Sequence, residues 1–158
     1  MFGEERDIIG EESNMKIYLD NCCFNRPFDD QSHIRIKLEA EAKLKIQEEI
    51  RSGNIKLVWS YILDYENSKN PFRERKEQIK VWKKYAELNI QENAELIGFA
   101  YTLNQKGFKK LDSLHIACAI FMECDYFLTT DDSILKKAEL LDEINIDDPI
   151  GFIKEVLS

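Results

Sequence analysis

Lys16-Ile17-Tyr18-Leu19-Asp20-Asn21 is the stretch whose reading decides the fold: a short apolar run that stops abruptly at a carboxylate. Buried strands of a parallel α/β sheet read as near-continuous hydrophobic runs, and reactive groups sit just past their carboxyl ends. Asp20 therefore stands where such a sheet builds a site. A strand ending in Asp is common, so the weight falls on whether other acidic residues reach equivalent places.

Beyond Asp20, residues 21–30 form a polar loop punctuated by Pro27. From Ser32 onward Leu38, Ala42, Ile46 and Ile50 recur every four residues among charges, which predicts an amphipathic helix ending at Ser52-Gly53-Asn54. Residues 55–59 (IKLVW) read as a second strand. Ser60 suits a cap for a short helix over 61–66, which must end before Asn70-Pro71. The charged stretch 72–86, carrying Ile79, Val81, Trp82 and Tyr85, predicts an exposed helix, followed by a short strand at Leu88–Ile90. A helix over 93–105 is closed by Gly107 as a left-handed cap, and a nearly uncharged helix over 111–122 is expected to be buried. Residues 126–129 give the third strong strand. A helix through Leu135, Ala138 and Leu141, a strand at 144–146 and a last helix from Pro149 complete the chain. Strands alternating with helices predict a parallel sheet with helices on both faces.

A chain of 158 residues fits one domain, read as residues 15–158, and can hold a core without staples. Residues 1–14 are acidic and aperiodic, and are read as a frayed or non-native extension; Gly10-Glu11-Glu12 just before Met15 suits a translated ribosome-binding site. No apolar run approaches a membrane span and no signal-peptide layout opens the chain, so a cytosolic protein is expected, with no membrane partner. The net charge of -8 excludes a nucleic-acid binder working through a broad basic surface. It does not exclude a nuclease whose metal ions bring the positive charge. Cys22, Cys23, Cys118 and Cys124 lack zinc spacing, and with only His33 and His115 a His/Cys metal site is poorly supported; the thiols are read as small buried residues.

Asp20 ends the first strand, Glu66 follows the second, Asp112 opens the buried helix, and Asp131-Asp132 ends the third strong strand. Converging like charges repel, so a cluster of this kind normally holds a hard cation bound by oxygen, with Mg²⁺ or Mn²⁺ the best fit. Such a site suits phosphodiester cleavage and needs no nucleophilic side chain. Individually each acid has a plainer role. Asp20 or Asp131 can cap a helix, Asp112 can complement a helix dipole, Glu66 can be a solvated helix residue, and His115 reads more naturally as a satisfied core histidine than as a base. Joint placement is what favours a site.

Ile17-Tyr18-Leu19-Asp20, then Glu66, then Asp112-Ser113-Leu114-His115-Ile116-Ala117, then Leu128-Thr129-Thr130-Asp131-Asp132, in that order, resemble the PIN-domain nucleases, including the toxins of type II toxin-antitoxin pairs. The resemblance spans residues 16–141, and its last two motifs are the specific ones. It implies a three-layer α/β/α fold, Mg²⁺- or Mn²⁺-dependent ribonuclease activity, and frequently a homodimer inhibited by an antitoxin. On that pattern Asp20, Glu66 and Asp112 are catalytic metal carboxylates. The fourth acid falls two positions after a threonine, which selects Asp132 after Thr130; Thr129 is also a candidate threonine, leaving Asp131 open. Asn21, Thr130 and Asp131 would be supporting groups. Asn21 departs from the small hydroxyl residue often found there, and the loop from Arg26 to Asp30 has no place in the pattern.

For substrate, Arg26 is the leading phosphate contact because its loop follows Asp20, ahead of Arg35, Arg73, Arg75, Lys109 and Lys110. The rival reading is a catalytically silent PIN-like module that binds RNA or protein. A phosphoacceptor receiver domain also gathers acids at strand ends, but its order of acids and a late lysine finds no clear match here.

Overall fold

The computed structural model describes residues 15–157, so the segment 1–14 lies outside the described residues. β1 (Met15–Leu19), β2 (Ile55–Ser60), β3 (Leu88–Ile90), β4 (Tyr126–Leu128) and β5 (Asn145–Asp147) form one sheet in the order β3-β2-β1-β4-β5, every pairing parallel. Ile17 sits in register with Leu57 on one side and Tyr126 on the other. The chain builds outward from β1 through β2 to β3, then returns to lay β4 and β5 on the opposite side of β1. The strand order thus reverses at β1, and a crevice opens outside the carboxyl ends at such a reversal. Asp20 follows the last residue of β1.

The helices are α1 (Asn21–Asn25), α2 (Ile34–Arg51), α3 (Tyr61–Ser68), α4 (Arg73–Lys83), α5 (Ala94–Gln105), α6 (Lys110–Phe121), α7 (Asp132–Leu135) and α8 (Pro149–Phe152). A 3₁₀ turn, Arg26–Phe28, follows α1, and a π turn, Ile153–Leu157, follows α8. Ser60 caps α3 as expected, its Oγ accepting from Leu63 N at 3.2 Å. Gly107 takes φ +109°, the left-handed conformation that closes α5 without a Cβ penalty. The core centres on β1 and its neighbours. Tyr18 stacks on Phe127 at 5.4 Å, and Phe24 meets Trp59 at 5.2 Å.

Four local expectations need correction. Leu38 on α2 is 48% exposed, and Glu39, Lys43 and Gln47 are buried beside Ala42, Ile46 and Ile50. A repeat of four residues drifts about 40° per step on a helix of 3.6 residues per turn, so Leu38 stands about 120° away from Ile50. The charged helix α4 is exposed along most of its length but buries Ile79 and Trp82. The helix through Leu135, Ala138 and Leu141 is broken into α7 and a 3₁₀ turn, Ala138–Leu140, because Lys137 leaves helical geometry (φ -103°, ψ 7°) while its Nζ donates to Gly107 O. The last strand runs one residue later than expected, where its register with Tyr126–Leu128 places it. Among the described residues no helix is long and apolar enough to cross a membrane.

Candidate metal centre

Asp20 arrives on the site because β1 ends one residue earlier, and its carboxylate is fixed on both oxygens. Oδ1 accepts from the Asn21 amide at 2.8 Å, capping α1, and Oδ2 accepts from Thr129 Oγ1 at 2.8 Å. It is 6% exposed. Glu66 comes from the second turn of α3, Asp112 from the first turn of α6, and His115 from the next turn of α6, on the same face by its spacing of three. Ligand atoms of Asp20, Glu66 and His115 lie within 4.8 Å of one another. Asp20, Asn21, Asn25, Glu66, Asp112 and Asp131 line a cleft of about 340 Å³ at the carboxyl edge of the sheet, with Cys22 and Asp29 at its wall.

His115 is completely buried, and the structure gives it a role the sequence did not. Its Nδ1 lies 2.5 Å from Tyr18 Oη, which also lies 2.6 Å from Ser60 Oγ, while Nε2 contacts Glu66 Oε1. Burial holds the Tyr18 hydroxyl protonated far above the usual phenol range. Hydrogens assigned from the network then run one way: Ser60 donates to Tyr18, Tyr18 donates to His115 Nδ1, and His115 Nε2–H donates to Glu66. In this tautomer His115 orients Glu66 through its Nε2–H. Asp20 Oδ1 lies 3.9 Å from the same Nε2.

Asp112 is pushed up to about 6, first by burial and then by the neighbouring charges of Asp20 and Asp131. Of the two candidate fourth acids, the structure brings Asp131 to the cleft and does not bring Asp132. Asp131 Oδ1 caps α7 through Ser133 N and Oγ, both at 2.8 Å. Asp132 is exposed and held by Arg35 at 2.7 and 3.1 Å, which lowers its carboxyl from the usual range. The threonine on Asp20 is Thr129, whose Oγ1 also accepts from Asp131 N at 3.1 Å; Thr130 is buried next to it with its amide on Cys22 Sγ. Two positions after Thr129 is Asp131, the acid of the pair that lines the cleft. Asn21 lines the cleft, and its Oδ1 has no partner among the described residues.

Arg26 does not point a free charge at the cleft. Its Nε donates to Glu39 at 2.9 Å and its Nη1 to Asp29 at 3.1 Å. Glu39, a fully buried acid, also accepts from Arg35 at 3.2 Å, and Arg75 reaches Asp29 at 3.4 Å and Phe28 O at 2.6 Å. The loop that had no place in the sequence pattern is thus clamped by an ion-pair chain from Arg75 to Asp132, with Asp29 as its link to the cleft wall. Cys23, Cys118 and Cys124 are buried free thiols as expected, whereas Cys22 sits part-exposed with Sγ 3.5 Å from Asp20 Oδ2.

No family profile and no curated protein matches the sequence. Among solved structures, the chain is similar to VapBC2 from Rickettsia felis, crystallised bound to a DNA fragment from its promoter: TM-score 0.53, 16% identity, 85% of this chain and 98% of that one. It is also similar to FitAcB from Neisseria gonorrhoeae: TM-score 0.50, 16% identity, 84% of this chain and 97% of that one. At that identity the likeness is one of fold. The chain has a PIN-like α/β/α fold, built on a five-stranded parallel sheet.

Proposed function

We propose that the chain is a Mg²⁺- or Mn²⁺-dependent endoribonuclease, and the toxin half of a toxin-antitoxin pair. The observation that carries this reading is the convergence of Asp20, Glu66, Asp112 and Asp131 on one cleft at the strand-order reversal. The donor set fits a hard cation. It offers carboxylate oxygens, two of them pre-oriented by Thr129 and by His115, and mutual repulsion that a divalent charge relieves. Such a cation supplies activation of a water and neutralisation of phosphate charge.

The chain's own work is positioning. Thr129 and the Asn21 amide hold Asp20 in one rotamer, the Ser60–Tyr18–His115 relay aims Glu66, and α6 carries Asp112 on a rigid buried helix. RNA is the proposed substrate. The antitoxin reading takes support from the two similar structures, which are toxin-antitoxin complexes with PIN-domain toxins. A homodimer has a candidate surface on α5 and α6, where Ile97, Tyr101 and Leu111 are exposed.

The test is cleavage of mixed RNA substrates with Mg²⁺ or Mn²⁺, beside EDTA and the variants Asp20→Asn and Asp112→Asn. Metal-dependent cutting lost in both variants is the expected result. Well-folded protein that neither cuts RNA nor gains melting temperature with metal supports the silent binding module instead.

A further inference from the structure

A second cavity, of about 130 Å³, opens where α1, the turn Arg26–Phe28, α2 and α4 meet, and it shares no lining residue with the acidic cleft. Its walls are apolar and largely aromatic: Phe24, Phe28, Ile79 and Trp82. Into it α2 contributes two polar groups one turn apart, Lys43 and Gln47. Lys43 is 3% exposed and makes no hydrogen bond or ion pair with any described residue; its Nζ stands 5.1 Å from the ring centre of Phe24 and 5.8 Å from that of Trp82. Gln47 is equally buried, and its Nε2 has no partner among the described residues.

A buried donor without an acceptor costs free energy, and Gln47 Nε2 is one; it shares this apolar-walled space with the Lys43 amine, which meets only aromatic rings. We infer that this cavity binds a small aromatic monocarboxylate, whose two oxygens accept from Lys43 Nζ and Gln47 Nε2 while its ring packs among Phe24, Ile79 and Trp82. Two donors match the two oxygens of a carboxylate; a phosphate would leave oxygens facing hydrocarbon. The space is on the scale of the engineered apolar cavity of about 150 Å³ that takes up one benzene ring. Burial presses the Lys43 amine down to about 7, and a bound anion returns its charge to favour. This inference is independent of the nuclease reading, since none of its residues belongs to the cleft.

The probe is benzoate, titrated into the full chain and read from the indole N–H signal of Trp82, assigned by its loss in Trp82→Phe. Trp59, whose Nε1 donates to Asp64 at 2.9 Å, is the internal reference. A saturable movement of the Trp82 signal is expected, with affinity falling about tenfold or more in Lys43→Met and in Gln47→Leu, and benzyl alcohol binding weaker by a similar factor. Lys43→Met keeps the shape and removes a buried charge, so an unmoved Trp59 signal verifies its fold. A linear response, or equal affinity in wild type and Lys43→Met, overturns the inference.

Discussion

Nε2 of His115 on α6 donates to Glu66 on α3, a partner 49 positions away in the chain, and Tyr18 on β1 fixes the other ring nitrogen. Outer-shell partners of this kind orient metal carboxylates, and their loss typically costs about 10–100-fold in metal affinity. His115→Phe should therefore weaken Mn²⁺ binding by about that factor, measured by the resonance of free Mn²⁺ in a titration. Tyr18→Phe should cost about 1 kcal/mol in denaturant unfolding, with a smaller loss of affinity. Unchanged Mn²⁺ affinity in His115→Phe would rule out the orienting role.

Asp131 and Asp132 are adjacent but face different partners, and conservative amides separate them. Asn is as good a cap as Asp, so Asp131→Asn keeps α7 capped while removing a charge from the cleft. It should lower both cleavage and Mn²⁺ affinity. Asp132→Asn should leave both unchanged and barely alter stability, since its pair with Arg35 is exposed. The reverse pattern would move the fourth acid to Asp132.

Asp112 makes the metal-free protein pH-sensitive. The folded state keeps the proton up to about pH 6, whereas an unfolded Asp releases it near 3.9. Between those values the folded state binds more protons, so stability falls as pH rises. The contribution is fully present below pH 4 and lost through pH 6, about 1 kcal/mol once screening at this half-exposed carboxyl is allowed for. Urea unfolding in EDTA from pH 4 to 7 should show the decline in wild type and a flatter profile in Asp112→Asn. Added Mg²⁺ should restore stability at pH 7.

Lys43 acts in the opposite direction and at higher pH. Its folded amine titrates at about 7, well below the unfolded value near 10.4, so between them the unfolded chain binds more protons and stability rises with pH. Lys43→Met should remove that rise and stabilise the protein by about 1–2 kcal/mol at pH 6, because a buried charge without an acceptor is gone. A destabilised Lys43→Met would mean that the aromatic contacts outweigh desolvation.

Glu39 is the buried hub of the ion-pair chain, holding Arg26 and Arg35 on its two oxygens. Glu39→Ala should cost about 2–3 kcal/mol, less than a fully buried pair because Arg35 is half exposed. Glu39→Gln, which keeps the shape and one acceptor oxygen, should lose about half of that. Thermal melting at matched ionic strength gives both numbers.

The parallel sheet, its strand positions and the arrival of Asp20, Glu66 and Asp112 at one edge were legible in the sequence. Hydrophobic runs, caps and strand-to-helix alternation are local signals, and the carboxyl edge collects whatever follows each strand. Helix faces were read less well. Leu38 drifted to solvent and Glu39 to the core, because a period of four approximates the helix poorly and buried charge is admitted only where a distant arginine meets it. The choice between Asp131 and Asp132 was left open by sequence, since Thr129 and Thr130 are chemically alike. Only the tertiary structure separates the two acids: past the end of β4 the chain turns into α7, where Asp131 caps the helix from the cleft wall and Asp132, in its first turn, reaches Arg35. His115 likewise read as a core residue, and it is one. That its ring also aims Glu66 depends on Tyr18 and Ser60, which approach it only when β1, β2 and α6 pack together.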